Sequence, residues 1–362
     1  CHYIQCLACV KRRQNLHFKA KGYTILRGIA RMVVPVFLPH LGCAGRCIYC
    51  HQGYITDAGD AGIQTRIDAA FAGRTEPCDV GLFGGNIFGI APDVLARIFS
   101  FFEPYRTLIR TFRLSTKPVP LRDETIALLK KNGVGLIELG IPTFNHTILA
   151  ALNRAHTGED LFRAYDRLKN EGFTLALQFM VGLPGETKAD IDETIRNMVL
   201  LQPAYIRIYP LVVLENTPLY SLYRSGTFVP ADFDDVLDRA CRIYVNAVQN
   251  GIGVANVGLT DNELVRDMIA GGFYHPAYGF LVQSRIFIKA IEEVLPQFGS
   301  PAEITVIIHK NDVPLLVGHK RENIRRLAAR GIAVSWDVSG KERGKFAIMS
   351  GAKIVPGCAS IA

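Results

Sequence analysis

The sequence predicts an α/β fold built on a parallel sheet, followed by a helical extension and a small C-terminal α/β domain. Three observations predict it. Six short apolar runs alternate with helix-patterned segments from residue 32 onward, two long amphipathic helices replace that rhythm after residue 226, and residues 303–349 return to strands around one helix. Strands that alternate with helices run parallel, because parallel neighbours need a crossover connection.

The predicted strands are Met32–Pro39, Val80–Phe83, Thr111–Leu114, Leu136–Leu139, Leu175–Val181 and Tyr205–Leu211, each short enough for a buried strand. Between them Gly62–Phe71, Pro92–Phe102, Arg122–Lys131, Glu159–Asn170 and Lys188–Leu201 show the apolar spacing of one buried helix face. Asp232–Gln249 and Ala277–Leu295 read as helices, with the loop AGGFYHPAYG (270–279) leading into the second. The last unit carries a strand at Glu303–Ile308, a helix at Lys320–Arg330, and strands at Ile332–Trp336 and Phe346–Met349. The expected units are therefore a basic N-terminal arm (1–31), an α/β domain (32–225), a helical extension (226–299) and a small α/β domain (300–362). Periodicity alone does not decide between a curled sheet and an open one.

At 362 residues, 49% of them apolar, the chain can bury a large core. No apolar run reaches the roughly 18 uncharged residues of a membrane span, and basic residues precede any hydrophobic stretch at the N-terminus, unlike a secretory signal. A cytoplasmic protein with no membrane partner is expected. The net charge of +8 is uneven. Lys11, Arg12, Arg13, Lys19, Lys21, Arg27, Arg31 and Arg46 all precede the first acidic residue, Asp57, and basic and acidic residues balance thereafter. Such a block reads as a solvated arm or as a surface for phosphate.

Nine cysteines is an odd count, too sparse for a disulfide scaffold, so reduced thiols or metal ligands are expected. Cys78 and Cys241 sit in apolar patterns as buried residues, and Cys358 lies in a Gly/Pro/Ser tail. Cys43, Cys47 and Cys50 differ: LGCAGRCIYCHQG (41–53) sets them as C-x3-C-x2-C on the loop leaving the first strand. Three thiolates do not close a structural zinc site, which takes four ligands; His40 or His51 would have to complete one. An iron–sulfur cube on three thiolates leaves one iron open to a small molecule. Cys1, Cys6 and Cys9, spaced C-x4-C-x2-C, form a second iron–sulfur-like set.

The Cys43–Cys50 spacing after a first strand resembles the radical S-adenosylmethionine (SAM) superfamily. LFGGNIFGI (82–90) is similar to the glycine pair after that family's second strand. IELGIPTFN (137–145), LNRAHTGED (152–160) and LQFMVGLPGET (177–187) resemble the branch containing the Elongator catalytic subunit and oxygen-independent coproporphyrinogen oxidase. The resemblance covers about residues 32–225 and implies a partial TIM-type barrel of six βα units. It implies a [4Fe-4S] cluster on Cys43, Cys47 and Cys50 with SAM on the fourth iron. Tyr49 would flank the adenine, Gly84 and Gly85 receive the SAM amino group, Arg154 face the carboxylate, and Gln178 lie near the ribose. It also implies an electron donor such as a flavodoxin or ferredoxin. The sequence departs from the pattern at Pro142, where a polar residue is usual, at Ser115, in place of an acidic one, and at Asn86, after the glycine pair. Tyr209 and Glu215, near the end of the sixth strand, are candidate substrate-side residues.

PLLVGHKRENIRRL (314–327) places a glycine and basic loop before a helix bearing Lys320, Arg321, Arg325, Arg326 and Arg330. It resembles the nucleotide-clamping loop of KH-type RNA-binding domains, with Arg321 in place of the second glycine. With the basic arm it points to tRNA or another RNA as partner, and YHPAYGFLVQSR (274–285) is placed in the same cleft. The expected function is reductive SAM cleavage to a 5′-deoxyadenosyl radical that abstracts hydrogen from a substrate, an RNA base among the candidates; the alternative is a non-catalytic RNA-binding protein with a structural or redox-sensing cluster.

Overall fold

The computed structural model describes residues 33–38, 41–43, 45–51, 60–259 and 266–361. Cys1, Cys6, Cys9, His40 and the first seven basic residues lie outside them. In chain order the strands are β1 (Val33–Phe37), β2 (Cys78–Phe83), β3 (Ile109–Thr116), β4 (Val134–Gly140), β5 (Thr174–Val181), β6 (Tyr205–Pro210), β7 (Val212–Leu214), β8 (Gly253–Val257), β9 (Ile269–Gly272), β10 (Glu303–Ile308), β11 (Ala333–Asp337), β12 (Lys345–Ser350) and β13 (Lys353–Cys358). The helices are α1 (Asp60–Phe71), α2 (Pro92–Ser100), α3 (Asp123–Lys131), α4 (His146–Ala151), α5 (Gly158–Asn170), α6 (Lys188–Leu201), α7 (Pro218–Arg224), α8 (Phe233–Gln249), α9 (Tyr278–Val294), α10 (Val313–Val317) and α11 (Glu322–Ala328).

The main sheet is parallel throughout, in the order β1-β2-β3-β4-β5-β6-β8. It has seven strands, not the six expected: β8, inside the segment expected to be a helical extension, pairs with β6. The C-terminal unit likewise gains β13, which pairs with β12 and takes up Cys358. Its helix is shorter than expected, because Lys320 and Arg321 sit in the left-handed region at φ 49° and 63° and belong to the preceding loop.

Each central strand has two unlike faces. Val36, Leu82, Leu114 and Ile137 occupy matched register positions, as do Leu139, Leu177 and Ile206, and all are buried beneath the helices. Side chains one residue out of step point the other way. There the sheet carries Phe83, Arg113, Ser115, Glu138, Gln178, Tyr205, Arg207 and Tyr209. Their contacts reveal the curvature. The Arg207 guanidinium on β6 lies 6.0 Å from the ring centre of Phe83 on β2, although four strand spacings of about 4.8 Å would hold them some 19 Å apart in a flat sheet. The sheet is a half-barrel with a polar interior and an apolar, helix-covered exterior.

Helix starts are fixed locally. Thr157 and Asp160 form a reciprocal capping box before α5, the Thr157 amide donating to Asp160 at 2.8 Å and the Asp160 amide to Thr157 Oγ1 at 3.2 Å. Thr187 and Asp190 repeat it before α6. No helix of the described residues is long and apolar enough to cross a membrane.

Candidate active site at the barrel mouth

The loop after β1 carries Cys43, Cys47 and Cys50 as free thiols, with Cys47 buried. Neighbouring segments hold it by backbone. The Asn86 amide donates to the Leu41 carbonyl at 2.9 Å and its side-chain amide to the Gly42 carbonyl at 3.0 Å, while Ile48 N donates to Leu152 O at 3.2 Å and Leu219 N to Ile48 O at 2.9 Å. Asn153 Nδ2 donates to Arg46 O at 2.7 Å. The approach to the segment after β2 leaves no space for side chains. A Cβ on Gly42, whose φ is +75°, would lie 2.3 Å from the Asn86 carbonyl oxygen, and one on Gly89 would lie 2.0 Å from the Gly42 carbonyl oxygen.

Asn86, a departure from the family pattern, joins the two loops to a third. Its Oδ1 accepts from Thr116 Oγ1 at 2.9 Å and from the Lys117 amide at 3.2 Å, at the end of β3. Gly84 and Gly85 stand beside this junction, Gly84 at φ +92° against the Leu38 carbonyl.

Arg154 is the hub of the mouth. Nη1 lies 3.6 Å from Cys47 Sγ and donates to Tyr49 Oη at 3.2 Å, and Nη2 donates to the Gly140 carbonyl at the end of β4. Burial alone would raise the Cys47 thiol pKa, but the charges of Arg154, which also reaches the sulfur, and of Lys117 bring it below the usual thiol range. Cys50 goes the other way: burial, then the neighbouring thiols, push it up to about 11. Burial also raises Cys43, with Lys117 opposing. Lys117 was missed by sequence reasoning. His156 lies close by, 4% exposed, with neither ring nitrogen hydrogen-bonded among the described residues. Burial, then Arg154 and Lys117, lower its pKa to about 3, so it is a neutral imidazole.

Deeper in the barrel, Gln178 Nε2 donates to Glu138 Oε2 at 2.6 Å and to Ser115 Oγ at 3.0 Å. Glu138, 1% exposed, also accepts from Tyr205 at 2.6 Å and faces Arg113 at 3.5 Å and Arg207 at 3.6 Å. Arg207 in turn donates to Tyr209 at 2.7 Å. One carboxylate thus ties four strands together. Sequence reasoning named Gln178, Tyr209 and Ser115 singly and missed Glu138, Arg113, Tyr205 and Arg207. The signal was there: in FRLST, IELG, LQFM and YIRIY a polar residue interrupts an apolar run at the inward position. Glu215 lies in an exposed turn between β7 and α7 and joins none of these contacts; its amide donates to the Met268 carbonyl at 2.8 Å.

The residues at the mouth fit an iron–sulfur cluster with a small zwitterionic ligand. Three thiols share one short loop, and the Arg154 guanidinium reaches the middle one. Arg154 Nε is buried without an acceptor, a spare donor beside the thiols. A curled parallel sheet with a cysteine loop and a basic hub at the carboxyl ends of its strands defines a half-barrel α/β protein with its site where such barrels place theirs. The radical SAM superfamily pattern matches residues 37–198 and the Radical_SAM C-terminal domain matches residues 203–287. The chain belongs to the radical SAM superfamily, whose enzymes use a [4Fe-4S] cluster and SAM.

Among its relatives, the heme chaperone HemW of Lactococcus lactis is 25% identical over 231 residues, 61% of each chain. The heme chaperone HemW of Bacillus subtilis is 30% identical over 116 residues, 32% of this chain and 31% of that one. The tRNA uridine(34) acetyltransferase of Methanocaldococcus infernus is 27% identical over 129 residues, 34% of this chain and 24% of that one. The chain thus spans between 24% and 61% of the length of these relatives. The solved structure of M. infernus Elp3 lacking residues 1–46 shares the fold, with a TM-score of 0.54 at 18% identity over 71% of this chain and 62% of that one.

Proposed function

We propose that the protein is a radical SAM enzyme acting on RNA, with Cys43, Cys47 and Cys50 as the cluster ligands. The observation that carries the reading is Arg154, which joins a cluster thiol, the Tyr49 hydroxyl and the Gly140 carbonyl while keeping a buried donor in reserve. When bound, the cluster and SAM supply one-electron cleavage of SAM to methionine and a 5′-deoxyadenosyl radical. The chain's own part is positioning. Arg154 and Lys117 favour ionised Cys47, and Arg154 offers its free donor to the SAM carboxylate. Gly84 and Gly85 leave backbone open to the amino group, Tyr49 flanks the adenine, and Gln178, held by Glu138, faces the ribose. The closely packed loops around 42 and 89 exclude water behind the thiols. The reductant is a small electron carrier of the flavodoxin or ferredoxin kind, and the site of action is cytoplasmic.

RNA as substrate is supported by the tRNA-directed relative and by the basic loop of the C-terminal unit. The test is anaerobic reconstitution with iron and sulfide, then measurement of 5′-deoxyadenosine after adding dithionite and SAM. Formation by the intact protein and none by Cys43→Ala is expected. A chain carrying about four irons that yields no 5′-deoxyadenosine overturns the enzyme and leaves a structural or sensing cluster.

A further inference from the structure

The sheet of the C-terminal unit has two edge strands, β11 and β13. Its sheet runs β11-β10-β12-β13, so β11 pairs on one side only, with β10. Trp336 on β11 is opposite Val306, which is fully buried under the helices, so the two share the helix-covered face; yet Trp336 remains 37% exposed. Ser335 points the other way and shares a hydroxyl hydrogen bond of 2.8 Å with Thr305. The chain turns back within a few residues between α11 and β11, so α11 runs antiparallel to the strand and its N-terminal loop lies at the Trp336 end. α11 packs on β11, so the helix with its loop and the Trp336 side chain border one stretch of surface, a groove along the β11 edge.

The charges along this groove separate into two sets. Arg326 and Arg330 are held by Glu292 on α9, at 2.7–2.8 Å and 3.3 Å. Lys320, Arg321 and Arg325 have no carboxylate partner among the described residues. Nearby acids are engaged: Glu322 faces Arg285 at 4.0 Å, and Asp337 accepts the Ser339 amide at 2.9 Å. The loop is also preformed. A Cβ on Gly318 would lie 2.9 Å from Asn323 Cγ, and buried Asn323 donates to Ser284 Oγ and the Leu315 carbonyl, both at 2.9 Å. Lys320 and Arg321 hold left-handed backbone that side chains rarely adopt.

We propose that this groove binds single-stranded RNA, with Trp336 stacking on a base while Lys320, Arg321 and Arg325 take the adjoining phosphates. The inference rests on RNA being the partner and adds which strand form is read and by which residues. A half-open indole beside unneutralised cations is the pairing that single strands require, because every base offers a stacking face and every linkage a charge. A duplex hides its bases and offers the indole nothing.

Trp336 is the only tryptophan of the chain, so its emission reports the contact directly. Full-length protein is titrated with a fluorescein-labelled ten-residue oligouridylate, following anisotropy for binding and, with unlabelled oligonucleotide, tryptophan emission for stacking. Saturable quenching is expected, with binding about tenfold weaker in Trp336→Ala and largely restored in Trp336→Phe, and with duplex RNA of equal length failing to quench. Binding that leaves emission and the Trp336→Ala affinity unchanged, but is lost in a Lys320→Glu/Arg321→Glu double variant, overturns the stacking role while RNA recognition stands. Absence of binding by the wild-type chain at low salt overturns both.

Discussion

The barrel mouth and the C-terminal groove are both built from a glycine-bearing loop and a set of cations, and they dispose of charge in opposite ways. At the mouth Arg154 is turned inward onto a thiol, a hydroxyl and a carbonyl, and the charge of Lys117 acts with it on Cys47. In the groove three cations stand without counter-charge beside a half-open indole. The mouth is finished before its ligand arrives, whereas the groove is balanced only by a partner. Geometry should therefore dominate substitutions at the mouth, and ionic strength those in the groove.

The largest expected effect tests the first half. Gly42→Ala drives a methyl into the Asn86 carbonyl, so iron after reconstitution should fall from about four per chain to near none, while far-UV circular dichroism keeps the helices of the barrel. Next, Arg154→Ala should retain iron yet lower 5′-deoxyadenosine formation about 100-fold, the scale of losing a buried charge-assisted donor set. Arg154→Lys should recover little of this, since one ammonium cannot reach three acceptors in a plane. Iron loss in Arg154→Ala would instead make that residue part of the cluster's own support.

His156 gives the mouth a pH signature of its own. Its folded pKa, lowered by burial and then by Arg154 and Lys117 to about 3, lies below the unfolded value of about 6.5. The unfolded chain then binds a proton that the folded chain refuses, so this stability is present above about pH 6.5 and lost as pH falls toward 3. The expected slope is at most about 1.4 kcal/mol per pH unit, read by urea titrations between pH 4 and 7, and His156→Phe should flatten it.

Smaller effects belong to the groove. Each of Lys320→Ala and Arg325→Ala should reduce the slope of log K against log salt for oligouridylate by about one. Arg321→Gly should relieve left-handed backbone and raise unfolding free energy by about 0.5–1 kcal/mol while weakening binding. Gains in both stability and affinity would show that Arg321 does not contact phosphate.

Much of this was legible from the chain, and what was not has identifiable causes. The first six strands stand where their apolar runs lie, because helix-covered strands are marked by continuous hydrophobicity. The seventh, GVANV, escaped: it is an edge strand, half-buried along its length and interrupted by Asn256. The Cys43–Cys50 loop and Arg154 were found through local motifs. Asn86 was noticed only as a departure, because its partners Gly42 and Thr116 are 44 and 30 residues away. Glu138 was passed over for the same reason. One carboxylate in an apolar run gives no hint of the arginines and tyrosine that neutralise it from β3 and β6.

The contact between the loops around Gly42 and Gly89 also bears on how such a protein can diversify. Two segments that touch through bare backbone, with less than a methyl's width between them, cannot be lengthened one at a time, so neither can accept an insertion without displacing the thiols. New specificity has to be written elsewhere: on the β7–β9 ribbon at the rim, or at the junction where His275 and His319 meet edge to face at 5.2 Å. The same fold can thus exchange its clientele while its cysteine corner stays unedited.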